Sequence, residues 1–145
     1  MADYNKVGLL AIRDGRILLC RKKHTTSLLI LPGGCVEQGE TAMECLQREL
    51  REELGAVEVD RLAYVGTYED RAAGDQRKTV EIELYAGILH GELQAASEIK
   101  ELYWFGPDDD PALLAPSIIN KMLPDLVARG ILWPGVPVGN LIAPM

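Results

Sequence analysis

Gly34-Cys35-Val36-Glu37-Gln38-Gly39-Glu40-Thr41-Ala42-Met43-Glu44-Cys45-Leu46-Gln47-Arg48-Glu49-Leu50-Arg51-Glu52-Glu53-Leu54-Gly55-Ala56 runs from a glycine-bearing turn straight into a carboxylate-rich helix. Thr41 followed three residues later by Glu44 is a capping box, which predicts a helix starting at Ala42. Gly55 supplies the left-handed stop. Met43, Leu46, Leu50 and Leu54 recur at three and four residues and form the apolar stripe that fixes the helix rotation. At ~100° per residue, Glu49, Glu52 and Glu53 share a wedge of roughly 100° whose centre is turned roughly 115° from that stripe.

A run of charge on a helix is usually a solvated face, but Glu49 stands three and four residues from Glu52 and Glu53, spacings at which like charges destabilise a helix. Cations relieve that repulsion, and hard divalent ions such as Mg2+ or Mn2+ prefer several oxygens. Arg48, four residues from both Glu44 and Glu52, reads as a salt-bridge strut.

The run resembles the Nudix box: Gly34, five residues, Glu40, seven residues, Arg48-Glu49, an aliphatic, any residue, Glu52-Glu53, any residue, Gly55, an aliphatic. Its seven fixed residues would coincide by chance on the order of 10^-8 per starting point. Only Ala56 departs, being smaller than usual with Val57 one step late, which touches packing rather than chemistry. The resemblance implies an α/β fold, the Nudix-type α/β/α sandwich with a mixed β-sheet, over roughly residues 5–130.

It also implies metal-dependent hydrolysis of a diphosphate linkage in a nucleoside diphosphate derivative. Glu49, Glu52 and Glu53 would be metal ligands, with Glu49 preferred as general base and Arg48 orienting the carboxylates. A backbone carbonyl at Gly33 or Gly34 would add a ligand, and Glu40 would brace the loop. Glu98 or Glu101 lies where such enzymes often place a further carboxylate. The family's ADP-ribose members commonly carry a proline, and its dinucleoside-polyphosphate members a tyrosine, some fifteen residues beyond the box. Here Arg71-Ala72-Ala73 has neither, and the first later proline is Pro107. The expected activity is therefore a (d)NTP pyrophosphohydrolase releasing a monophosphate and pyrophosphate. ADP-ribose or nucleotide-sugar hydrolysis is the alternative, and a non-catalytic nucleotide-sensing module a second one.

Composition bounds this reading. With 145 residues, 48% of them hydrophobic, the chain supports one core and is expected to form a single domain over 1–145. A net charge of −7 argues against nucleic-acid duplexes and anionic membranes as partners. The resemblance implies a small nucleotide as substrate, and a monomer or homodimer is the expected state. No apolar signal core or membrane-length run is visible, so the cytoplasm is expected. Cys20, Cys35 and Cys45 are expected as reduced thiols, and His24 and His90 as non-catalytic. Phosphate contacts need cations outside the box, and Arg21, Lys22 and Lys23, or Arg77 with Lys78, end or enter strands; Arg21, Lys23 and Arg77 are the candidates.

Outside the helix, Val7 to Ile12 and Arg16 to Arg21 read as strands joined by a tight turn at Asp14-Gly15. Leu28 to Leu31 reads as a short buried strand, and Arg61 to Tyr68, Thr79 to Leu89 and Leu102 to Phe105 as three more. A helix is expected over Pro116 to Ala128, with a break at Pro124, and the Pro/Gly-rich tail from Trp133 to Met145 is either loose or docked.

Overall fold

The computed structural model describes residues 2–133. The helix α1 (Ala42–Leu54) has the reciprocal cap that its sequence encodes: the Glu44 N–H donates to Thr41 Oγ1 at 3.1 Å and the Thr41 N–H to Glu44 Oε1 at 2.9 Å. Gly55, at φ 87°, closes it. Cys45, Leu46, Leu50 and Leu54 are fully or almost fully buried, whereas Met43 is half-buried. Val57, at 3% exposure, fills the apolar place that the exposed Ala56 leaves.

Strands β1 (Tyr4–Leu10), β4 (Gly33–Cys35), β5 (Glu58–Arg71) and β6 (Thr79–His90) make a mixed sheet in the order β4-β1-β6-β5. β1 runs parallel to β6 and antiparallel to β4, and β5 pairs antiparallel with β6. Strands β2 (Ile12–Arg13), β3 (Arg16–Lys22) and β7 (Ile99–Phe105) form a second, antiparallel sheet. Alternation along β1 sorts its side chains between two cores. Val7 and Leu9 pack with Leu46, Leu50 and Leu54 of α1. Leu10 packs with Leu84 and with Ile118, Met122 and Leu126 near the end of the chain. The sheet thus lies between α1 and a C-terminal helical segment, the layered α/β/α arrangement.

Several elements differ from expectation. The Val7 to Ile12 run is not one strand: β1 ends at Leu10 and the chain crosses at Ala11 into the second sheet, so alternation cannot persist through the change of partner. Leu28 to Leu31 makes only isolated bridges, Cys20 with Ile30 and Leu29 with Leu114, while the strand β4 begins after Pro32 at Gly33. The C-terminal segment starts as a π-helix over Ser117–Met122 and continues as α2 (Leu123–Ala128). The change coincides with Pro124, whose nitrogen has no N–H to return to the preceding turn. Trp133, at the head of the expected tail, is buried, and its indole N–H donates to the Gly15 carbonyl at 2.6 Å. The rest of that tail, 134–145, lies outside the described residues. Among the described residues no helix is long and apolar enough to cross a membrane.

Candidate active site

The helix rotation grades the three glutamates. Glu53 lies closest to the apolar stripe and is 7% exposed, while Glu52, farthest from it, has half its side chain in solvent. Glu49 falls between, half-buried. The glycine strand β4 crosses this face of α1. The Gly33 N–H donates to Glu53 Oε1 at 2.8 Å, and a Cβ added at Gly34 would lie 2.4 Å from the Glu49 carboxylate. Gly33 itself, at φ 139°, has its Cβ position blocked by the Val7 carbonyl at 2.0 Å, so only glycine fits there. Cys45 is sealed beneath the same strand, with its thiol directed at the carbonyls of Gly34 and Cys35 and pushed up to about 11 by burial.

Arg48 organises the acids. Its Nε donates to Glu40 Oε2 at 2.6 Å and its Nη2 to Glu40 Oε1 at 2.9 Å, a two-pronged contact. Its Nη1 reaches Glu49 at 3.0 Å and Glu52 at 3.5 Å, and Glu37 stands 3.7 Å away. Arg48 holds the Glu40 carboxyl down to about 2, helped by the Glu37 N–H. Glu53 moves the other way. Burial pushes its carboxyl up to about 7 against the Gly33 N–H bond, which favours the anion, and Glu49 adds repulsion. Burial likewise raises Glu49, against the Arg48 contact.

On the other side of β4 opens a cavity of about 310 Å³, and Gly33 and Gly34 line it. Lys6 of β1 and Lys22 at the end of β3 line it as well. Lys22 has one distant partner, Glu98 at 3.8 Å, and Lys6 has no ion pair among the described residues. Burial first, and then the Lys22 charge, lower the proton affinity of Lys6, while Glu53 and Glu49 raise it. Two glycines without side chains therefore stand between a group of carboxylates and a cavity edged by cations.

The other expected residues are placed differently. Arg21 pairs with Glu101 and donates to the Ser27 carbonyl at 2.9 Å. Arg77 is an exposed side chain paired with Asp75 at 3.1 Å, and Lys23 is exposed. None of the three lines the cavity. Glu98 is largely exposed and stands 3.8 Å from Lys22. Lys6 carries no sequence signal of this placement, since it sits among alternating strand residues where a lone lysine signals a solvated face. Its register opposite Cys35 of β4 was the signal, and register is not written in the sequence.

The oxygen donors and the side-chain-free approach at Gly34 fit a hard divalent ion. As the side chains stand, no three acidic, histidine or cysteine groups among the described residues are drawn close enough to hold one. Arg48 donates to Glu49 and Glu52, and the Gly33 N–H donates to Glu53.

The NUDIX domain family model matches residues 5–126. An ADP-ribose pyrophosphatase of Methanocaldococcus jannaschii is 31% identical over 103 residues, 70% of this chain and 60% of that protein. The NAD-capped RNA hydrolase NudC of Pseudomonas entomophila is 34% identical over 134 residues, 89% of this chain and 47% of that protein. The chain thus spans about half to three-fifths of the length of these curated relatives. The crystal structure of a MutT Nudix hydrolase from Burkholderia pseudomallei superposes with a TM-score of 0.68 at 28% identity, covering 80% of this chain and 93% of that one. The match over residues 5–126, which contains the whole glutamate helix and its glycine strand, makes the chain a member of the Nudix hydrolase family.

Proposed function

We propose that the chain hydrolyses the diphosphate linkage of a nucleotide derivative with Mg2+ or Mn2+, and that its substrate is a (d)NTP, cleaved to a monophosphate and pyrophosphate. The observation that carries this reading is the glycine window: carboxylates behind Gly33 and Gly34, and in front of the glycines a cavity edged by lysines. Glu49, Glu52 and Glu53, with a carbonyl of Gly33 or Gly34, would hold the metal. Bound there, the ion would stabilise charge on the phosphoryl oxygens and acidify a water. Arg48 keeps Glu49 and Glu52 aimed while tied to Glu40. Glu49, the general base by preference, takes the proton of the attacking water. Lys6 and Lys22 hold the phosphate chain, a role that passes to them from Arg21, Lys23 and Arg77 because they line the cavity. Glu98, 3.8 Å from Lys22 and largely exposed, would be the further carboxylate available to the metal.

A cavity near the small end of the ligand range suits one nucleoside with a linear phosphate chain, which supports a triphosphate. The name of the archaeal relative favours ADP-ribose as the second reading. Comparing kcat/KM with Mg2+ for dNTPs, 8-oxo-dGTP, ADP-ribose, nucleotide sugars and dinucleoside polyphosphates tests the choice. Triphosphates should lead. ADP-ribose cleavage without triphosphate cleavage would overturn the substrate, and no cleavage with either metal would leave a nucleotide-sensing module.

A further inference from the structure

Two loops meet at the rim of the cavity. One follows β3 and contributes Thr25 and Thr26, and the other joins β5 to β6 and contributes Ala72, Ala73, Gly74 and Asp75. They touch where Gly74 has no side chain: a Cβ built there would lie 2.4 Å from the Thr25 Cγ2 methyl. Gly74 is not in the left-handed backbone region, so this glycine serves space rather than conformation. Thr25 is in that region, at φ 82°, and a β-branched residue holds such a conformation only under strain. Among the described residues no hydrogen bond or ion pair joins the two loops, so they are held together by packing.

The loops differ in stiffness. The one at Gly74 is tied to itself: the Ala72 N–H donates to the Lys78 carbonyl at 2.8 Å and the Lys78 N–H to the Asp75 carbonyl at 3.0 Å. The Asp75 carboxylate accepts the Arg77 backbone N–H and Nε, each at 3.1 Å. The loop at Thr25 is fastened at its two ends. The Lys23 N–H donates to the Glu98 carbonyl at 2.9 Å, and Arg21 Nε to the Ser27 carbonyl at 2.9 Å. The Glu98 segment is itself fixed to the end of α1, where the Ala96 N–H donates to the Glu53 carbonyl at 3.0 Å. Between the two anchors the bonds are local, from the Thr26 N–H to the His24 carbonyl and from the Leu28 N–H to the Thr26 hydroxyl.

We propose that His24–Thr26 is a strap that closes over the cavity by seating the Thr25 methyl on Gly74, a role that rests on the reading of the cavity as a nucleotide site. The rigid loop is the seat and the strained one moves. Packing at one methyl opposes strain at one residue, so the latch is shallow and the strap has two positions, seated and lifted. Thr25 and Thr26 line the cavity, so a nucleotide gains their contacts only in the seated position and shifts the balance toward it. Lifting then releases the product.

Trypsin reads the lifted state, because the bond after Lys23 enters the strap and a bound segment must open to be cut. The cut after Lys23 is measured against the cut after the exposed Arg51 of α1, which separates strap motion from loss of the whole fold. Saturating dGMP, a product of the proposed reaction, should slow the Lys23 cut about fivefold or more. Gly74→Ala, which puts a methyl where that of Thr25 sits, should speed the cut about fivefold or more and lose most of the dGMP protection. Adding Thr25→Ala to Gly74→Ala moves the methyl from one side of the contact to the other, and should restore both the slow cut and the protection. Cutting of Gly74→Ala at the unaltered rate, or no rescue in the double variant, would overturn the strap with no nucleotide involved. If dGMP gives the unaltered protein no protection although nucleotides are hydrolysed, the strap falls and the nucleotide reading stands. If dGMP gives no protection and no nucleotide is hydrolysed, both fall.

Discussion

One arginine and two lysines lie around the same pair of glycines, and they are treated in opposite ways. Arg48 has four carboxylates within 4 Å, Glu37, Glu40, Glu49 and Glu52, and its charge is spent inside the protein. Lys6 has none among the described residues, and Lys22 has a single exposed one at the edge of the distance range. The difference teaches where a ligand's charge is needed. The acids around Arg48 are too numerous for one cation, which leaves room for a divalent ion. Lys6 lacks an ion-pair partner among the described residues and Lys22 has only the exposed Glu98, which leaves room for phosphate.

The largest effects should come from the acids. Glu53→Gln or Glu52→Gln is expected to lower kcat by roughly a hundredfold or more while the protein stays folded. Full turnover of the unaltered protein in excess chelator would remove the metal from the account altogether. Next in size, Lys6→Met should raise KM by about tenfold to a hundredfold, the worth of a hydrogen bond to a charged group, with kcat nearly constant. In the same variant the metal-free protein should melt no lower, since a half-buried charge without a partner has been removed. Arg48→Met should do the reverse, lowering the metal-free melting temperature by leaving four acids uncompensated, with Mg2+ restoring part of the loss. If the two variants moved stability in the same direction, the contrast between spent and waiting charge would be gone.

A pH experiment sharpens the same contrast. Burial raises Glu53 from 4.5 to about 7, so the folded state holds that proton more tightly than the unfolded one. Its contribution to stability is present below about 4.5 and is lost as pH rises through about 7. In chelator, the melting temperature of Glu53→Gln minus that of the unaltered protein should grow from pH 5 to pH 8. A flat difference would mean that the Gly33 N–H offsets burial. The smallest effect concerns the frame: Thr41→Ala should cost about 1 kcal/mol in chemical denaturation and weaken Mg2+ affinity with it, so that half-maximal activity needs more Mg2+. Unchanged denaturation would detach the cap from the stability of the glutamate helix.

Much of the frame was legible because its signals are local. The Thr41–Glu44 box, the apolar stripe through Leu46, Leu50 and Leu54, and Gly55 all act within one helix, and the helix forms over the residues they mark. The departure at Ala56 was legible as a packing matter, and Val57 one step later does the packing. Apolar residues continue through Val7 to Ile12 and predict one strand, whereas the pairing partner changes at Ala11 and a partner is remote in sequence. Leu28 to Leu31 has strand composition and no strand neighbour along its length.

By itself the sequence determined the helix, its cap, its order of carboxylates and the glycines beside it, since a helix carries its geometry in spacings of three and four. Only the tertiary structure decided which cations face the cavity. Lys6 reaches it because β1 pairs with β4 on one edge and β6 on the other, while Arg21, one residue from Lys22, is turned to Glu101. Sheet register and helix docking join residues more than seventy positions apart, and no local pattern encodes that distance.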